Sequence, residues 1–170
     1  MKYIITILIG ILTSSFQQQT TGLTVEIIAT QKFQLVHEKD HFHVKLKNNS
    51  NETLRIWKEW NSWGYFNLSF EVLNTKGEVV KVITKNTDRI WTRNAPTSIV
   101  LAPNKEHISD IYFSPKEWDN LINDGFHELI LRPIYTVDKT AESQKHSVWT
   151  GKIIGEQTKC TINYWKNKKL

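Results

Sequence analysis

The sequence predicts an all-β, mainly antiparallel, two-sheet sandwich with one short helix near residues 115–122. Three observations carry this expectation. Short runs with an apolar residue at every second position recur along the chain, as in strands with one face in a core and one in water. Clusters of Asn, Asp, Gly and Pro separate these runs, and nothing alternates strand with helix as a parallel α/β fold would. One segment, Ser114-Pro115-Lys116-Glu117, joins a capping hydroxyl, a proline at the first helical position and a glutamate three residues after the cap, which places the helix there.

Taken in order, Leu23 to Ala29 and Phe33 to His37 are the first strands. His41 to Lys47 follows, with Phe42, Val44 and Leu46 on one face and His43, Lys45 and Lys47 on the other. Asn48 to Glu52 has loop composition. Thr53 to Trp57 leads into an aromatic segment, and Tyr65 to Leu73 has the cleanest alternation in the chain, with Phe66, Leu68, Phe70 and Val72 on one face. Its end, Asn74-Thr75-Lys76-Gly77, supplies the glycine that a hairpin turn needs before the return strand Glu78 to Thr84.

Lys85 to Pro96 is a polar connection containing Trp91, followed by strands at Thr97 to Leu101 and His107 to Phe113. After the predicted helix comes a long strand from Phe126 to Val137, in which Pro133 requires an edge or a bulge. Asp138 to Lys145 is a charged loop, and His146 to Ile154 and Thr158 to Trp165 complete the sheets.

Lys2, the apolar run Tyr3 to Leu12 and the small residues Thr13 to Ser15 have the order of a secretory signal. The run falls short of the ~20 residues of a membrane-spanning helix. The expected organisation is therefore a signal peptide over residues 1–18 and a single β-sandwich domain over 19–170, secreted or periplasmic, with no transmembrane span in the mature chain. Cys160 is the only cysteine. No intrachain disulfide can form, so the core must hold the fold, and Cys160 shares parity with Ile162 and Tyr164 as a small buried strand residue.

The net charge of +5 comes from basic residues scattered among acids, which argues against a nucleic-acid partner. There is no nucleophile elbow, no HExxH, no phosphate loop and no spaced carboxylate pair, so neither catalysis nor a cofactor is expected. The sequons at Asn48, Asn51 and Asn67 matter only in a eukaryotic secretory pathway.

The run IVLAPNKEHISDIYF, followed by a short connection and DGFHELILRPIYTV, resembles the latter half of bacterial immunoglobulin-like or fibronectin-type-III-like sandwiches. Leu101 and Pro103 match the leucine-x-proline turn that closes one strand of such domains. Gly125 matches the glycine that opens another, and His127 stands where they usually carry tyrosine. The resemblance implies an immunoglobulin-like fold and a role in adhesion, glycan binding, inhibition or structural spacing.

Function is sought in the aromatic segment. If the main strand runs back through Gly64, Trp63 and Tyr65 share the polar face with Asn67, Ser69 and Glu71 and form a platform for a glycan or protein partner. The predicted contact surface is Trp57, Trp60, Trp63 and Tyr65, with Trp91 and Arg93 in support. Two alternatives stand beside it. The tryptophans cap the core of an accessory or structural domain, or the histidines His41 and His43, two apart on one strand face, bind a metal ion.

Overall fold

The computed structural model describes residues 22–29, 32–36, 40–92, 94–121 and 125–164. The predicted signal peptide, His37 and Arg93 lie outside these residues. The described residues form twelve strands and one short helix: β1 (Leu23–Ile28), β2 (Phe33–Leu35), β3 (His41–Asn48), β4 (Leu54–Trp57), β5 (Leu68–Leu73), β6 (Val79–Lys85), β7 (Ser98–Leu101), β8 (Glu106–Tyr112), β9 (Trp118–Asp119), β10 (Gly125–Val137), α1 (Ala141–Lys145), β11 (Gly151–Ile154) and β12 (Thr158–Tyr164).

One sheet has the order β1-β3-β8 and a larger one β2-β12-β10-β5-β6-β9, with β11 beside β10 and a separate β4-β7 ribbon. Every pairing is antiparallel except that of β12 with β2. The all-β expectation holds, and the fold is sandwich-like. Alternation explains why the sheets face each other. Leu23, Val25 and Ile27 of β1 point inward with Phe42, Val44 and Leu46 of β3, and Phe70 and Val72 of β5 meet them from the opposite sheet. At the centre Phe70 lies 5.4 Å from the rings of Phe42, Phe113 and Trp118, an edge-to-face and tilted cluster of the kind ring quadrupoles favour.

The β5–β6 hairpin turns at Gly77 with φ +82°, as the turn composition requires. The long strand β10 also forms, but its proline is neither at an edge nor in a bulge. Pro133 is buried and pairs with Phe70. Its carbonyl accepts from Gly155 N at 2.9 Å, and a residue's N and C=O face the same edge of a strand. The missing N–H therefore points at the break where the neighbour of β10 changes from β12 to β11.

No helix forms over 115–121, the described part of the predicted stretch. Glu117 N and Trp118 N both donate to Ser114 O, making one turn, after which β9 pairs with the end of β6 and buries Trp118. Burial of a large ring outweighs the local helix signal, and the Glu117 carboxylate goes to Lys85 at 3.3 Å instead of back to the cap. The short helix α1 lies instead within the segment expected to be a charged loop. Thr140 and Ser143 form a reciprocal capping box there, a pattern in which serine replaces the usual Glu or Gln.

Asn48 ends β3 fully buried, donating to Glu52 O at 2.7 Å and Leu101 O at 2.9 Å while accepting from Ser50. Asn67 is buried as well, so neither of these sequon side chains is available in the folded protein. Cys160 is buried in β12, and burial pushes its thiol up to about 12, with the Lys32 charge opposing weakly. Among the described residues, no helix is long and apolar enough to cross a membrane.

Candidate functional site

A cleft of about 220 Å³ opens between the two sheets, at the end where the aromatic segment crosses from β4 to β5. Its floor is apolar, built from Val44, Leu46, Ile56 and Leu68. Polar groups converge on it from three elements: Glu59 from the turn after β4, His107 and Ser109 from β8, and Lys85 from the end of β6.

The turn that carries Glu59 and Trp60 is pinned from inside. Asn61 is buried, donates to Thr97 O at 2.9 Å and accepts from Trp63 N and Gly64 N. Gly64 passes so close to Lys58 that an added Cβ would stand 2.1 Å from that residue's carbonyl oxygen, so no other residue fits without moving the loop. The chain here is a series of turns, and β5 begins only at Leu68.

The expected pair of wet rings is therefore corrected. Tyr65 is 4% exposed, with its hydroxyl donating to Glu117 O at 3.1 Å. Trp57 is 3% exposed, and Trp63 is half-buried against it at 6.0 Å. Trp91 is half-buried, 5.4 Å from Tyr65. Trp60 alone among these rings is open, at 65%, with the Lys58 ammonium 5.4 Å from its centre. Outward rings at 63 and 65 need a strand through Gly64, whereas the close backbone crossing there forces a turn.

Cations interleave with the buried rings. Lys85 Nζ lies 3.9 Å from the Trp118 ring and 5.0 Å from that of Tyr65. The Arg89 guanidinium lies 4.7 Å from Tyr65 and 4.8 Å from Trp91. Both Tyr65 contacts are cation–π in kind, so Tyr65 serves as a spacer between two positive charges. Burial lowers the Lys85 pKa and the Arg89 charge adds to this, while Glu117 and Glu59 oppose it; the net shift is downward.

Glu59 accepts from Ser109 Oγ, and its Oε1 lies 2.9 Å from His107 Nε2. A carboxylate only accepts, so that imidazole nitrogen carries the proton. Burial pushes the carboxyl pKa up, but the hydrogen bonds from His107 and Ser109 and the charges of His107 and Lys85 outweigh it, and the pKa is lowered. A depressed carboxyl contributes stability that is present above its unfolded value near 4.5 and is lost as pH falls through the folded value. The urea midpoint difference between wild type and Glu59→Gln is thus expected to shrink as pH falls from 5 to 3. A difference that stays constant across that range would contradict the depressed pKa.

The Tyr135 hydroxyl, also at the cleft, is buried and faces Asn67 without a hydrogen bond of acceptable geometry. Burial raises its pKa and keeps it neutral.

The structure thus brings Trp57, Trp60 and Tyr65 to the cleft and sets Trp63 and Trp91 behind it. His41 and His43 lie elsewhere, on the outward face of β3. Sequence reasoning did not anticipate Glu59, Lys85, His107, Ser109 or Tyr135 in the site. Register with β3 places His107 opposite Leu46 and Ser109 opposite Val44, at inward positions of β8. No protein-family model matches the chain, and no curated protein matches it in sequence. Its class is that of an all-β, sandwich-like protein with a cleft at one end.

Proposed function

We propose that this is an exported, non-catalytic binding module of immunoglobulin-like type, which takes part of a glycan into the cleft beside Trp60. The observation that carries the reading is one open tryptophan at the mouth of a cleft whose walls offer fixed donors and acceptors of both charge signs. An indole face stacks on the apolar face of a sugar ring, and Glu59 with Lys85 and Arg89 matches a hydroxyl-rich ligand that both donates and accepts. The cleft is smaller than the ~300–1,000 Å³ of pockets that enclose whole small ligands, which suits one ring of a longer chain.

The non-catalytic part rests on where the protons go. Ser109 and His107 both donate to Glu59, so His107 does not accept the serine proton as the base of a serine–histidine pair would. The immunoglobulin-like part rests on strand order. Taking β1, β3 and β8 as strands A, B and E, and β5, β10 and β12 as C, F and G, reproduces the grouping of such sandwiches. Export rests on the charged, apolar, small-residue order of Lys2 to Ser15.

The test is a glycan array probed with labelled protein. Trp60→Ala is expected to weaken the retained signal by roughly tenfold or more, the cost of about 1.4 kcal/mol, with an unchanged melting temperature. Equal retention by both proteins, or no glycan retained by either, refutes the reading.

A further inference from the structure

We propose that His41, His43 and Asp110 form a binding site for a divalent transition-metal ion of the zinc class, on the outer face of the β1-β3-β8 sheet. Their donor atoms all lie within 4.8 Å of one another. Strand parity puts both histidines outward, because Phe42, Val44 and Leu46 take the inward positions of β3. Sheet register supplies the third donor. Asp110 stands directly opposite His43 across the β3–β8 ladder, and its Oδ1 lies 2.7 Å from His43 Nδ1. The two residues are 67 apart in sequence, so spacing alone could not join them.

The framework is held in place before any ion arrives. β3 is the central strand, paired along its length with β1 on one side and β8 on the other. The His41 ring is 5.2 Å from that of His43 and 5.0 Å from Tyr112, its cross-strand partner. Donors about 2.1 Å from a shared tetrahedral ion stand about 3.4 Å apart, which falls within the span these three already occupy. The His43 and Asp110 side chains are 45% and 56% accessible, so they can close on an ion by rotation alone and leave coordination positions to water.

The donor set selects the ion. Two imidazoles and one carboxylate suit Zn²⁺ or Cu²⁺, whereas Ca²⁺ and Mg²⁺ take oxygen donors throughout. The nearest cation on the same strand face, Lys45, is engaged by Glu26 and by Glu106 at 3.8 Å, so its charge is largely neutralised. Asp110 also borders the cleft, but strand parity turns its side chain to the outer face, away from the inward Ser109 and Ile111.

Calorimetric titration of the full chain with ZnCl₂, paired with the visible absorption of a Co²⁺ complex, tests the proposal. One Zn²⁺ per chain is expected. His41→Ala, His43→Ala and Asp110→Asn should each weaken it by roughly tenfold or more, while His127→Ala leaves it unchanged. All three donors project from an outer sheet face, so metal-free melting temperatures should match wild type and show that folding is intact. No zinc uptake by wild type, or equal uptake by His41→Ala and His43→Ala, overturns the site.

Discussion

Phe70→Ala is expected to lower the unfolding free energy by about 3–5 kcal/mol, the range for emptying a buried aromatic site. Phe70 is 0% exposed and sits where both sheets meet, its ring 5.4 Å from those of Phe42, Phe113 and Trp118. Those neighbours come from β3, from the residue just after β8 and from β9. No single element can move to fill the void without breaking ladder bonds elsewhere, so relaxation is limited. For a chain of 170 residues, the loss corresponds to a fall in melting temperature of roughly 6–20 °C. Phe70→Leu keeps most of the volume and should lose under about 1.5 kcal/mol. Chemical denaturation of the three proteins measures both values. A Phe70→Ala loss below about 1 kcal/mol would mean that the two sheets are not locked together through this ring.

The strands were legible because burial on one face imposes a period of two, and β1 and β3 obey it in both sequence and structure, whereas in β5 Val72 and Leu73 are both buried and Phe66, ahead of the strand, is exposed. The β5–β6 turn was legible for a different reason: Gly77 occupies a positive φ that few other residues tolerate. What the sequence hid was decided by contacts between distant residues. Trp118 is drawn into β9 by the ring cluster and by Lys85, 33 positions earlier in the numbering, and the local cap signal at Ser114 loses to that burial. In β8, His107 and Ser109 point inward while Ile108 points out at 48% exposure. Both phases contain apolar residues, so alternation could not choose between them. Only pairing with Leu46 and Val44 of β3 settles which side faces the cleft. Asp110 joins His43 by the same register, which is why two of the proposed metal donors were visible in sequence and the third was not.

The two tryptophans nearest the cleft should respond to alanine in opposite ways. Trp57→Ala is expected to lose about 3–5 kcal/mol, because Trp57 ends β4 at 3% exposure, packs 6.0 Å from Trp63 and 5.4 Å from His146, and so ties the aromatic turn to the end of α1. Trp60→Ala should stay within about 0.5 kcal/mol of wild type, as surface replacements do, since most of its ring is already in water. The contrast separates scaffold from contact surface along one short stretch: Trp57 holds the turn in place, and Trp60 is free to meet a ligand because that turn is held. Intrinsic fluorescence gives a second readout of the difference. Loss of Trp57 should shift the emission of the remaining indoles to longer wavelength as Trp63 becomes wet, whereas loss of Trp60 should shift the mean emission to shorter wavelength by removing the most exposed ring. Equal destabilisation by the two substitutions would mean that Trp60 is packed in solution, and the glycan-facing role assigned to it would fail.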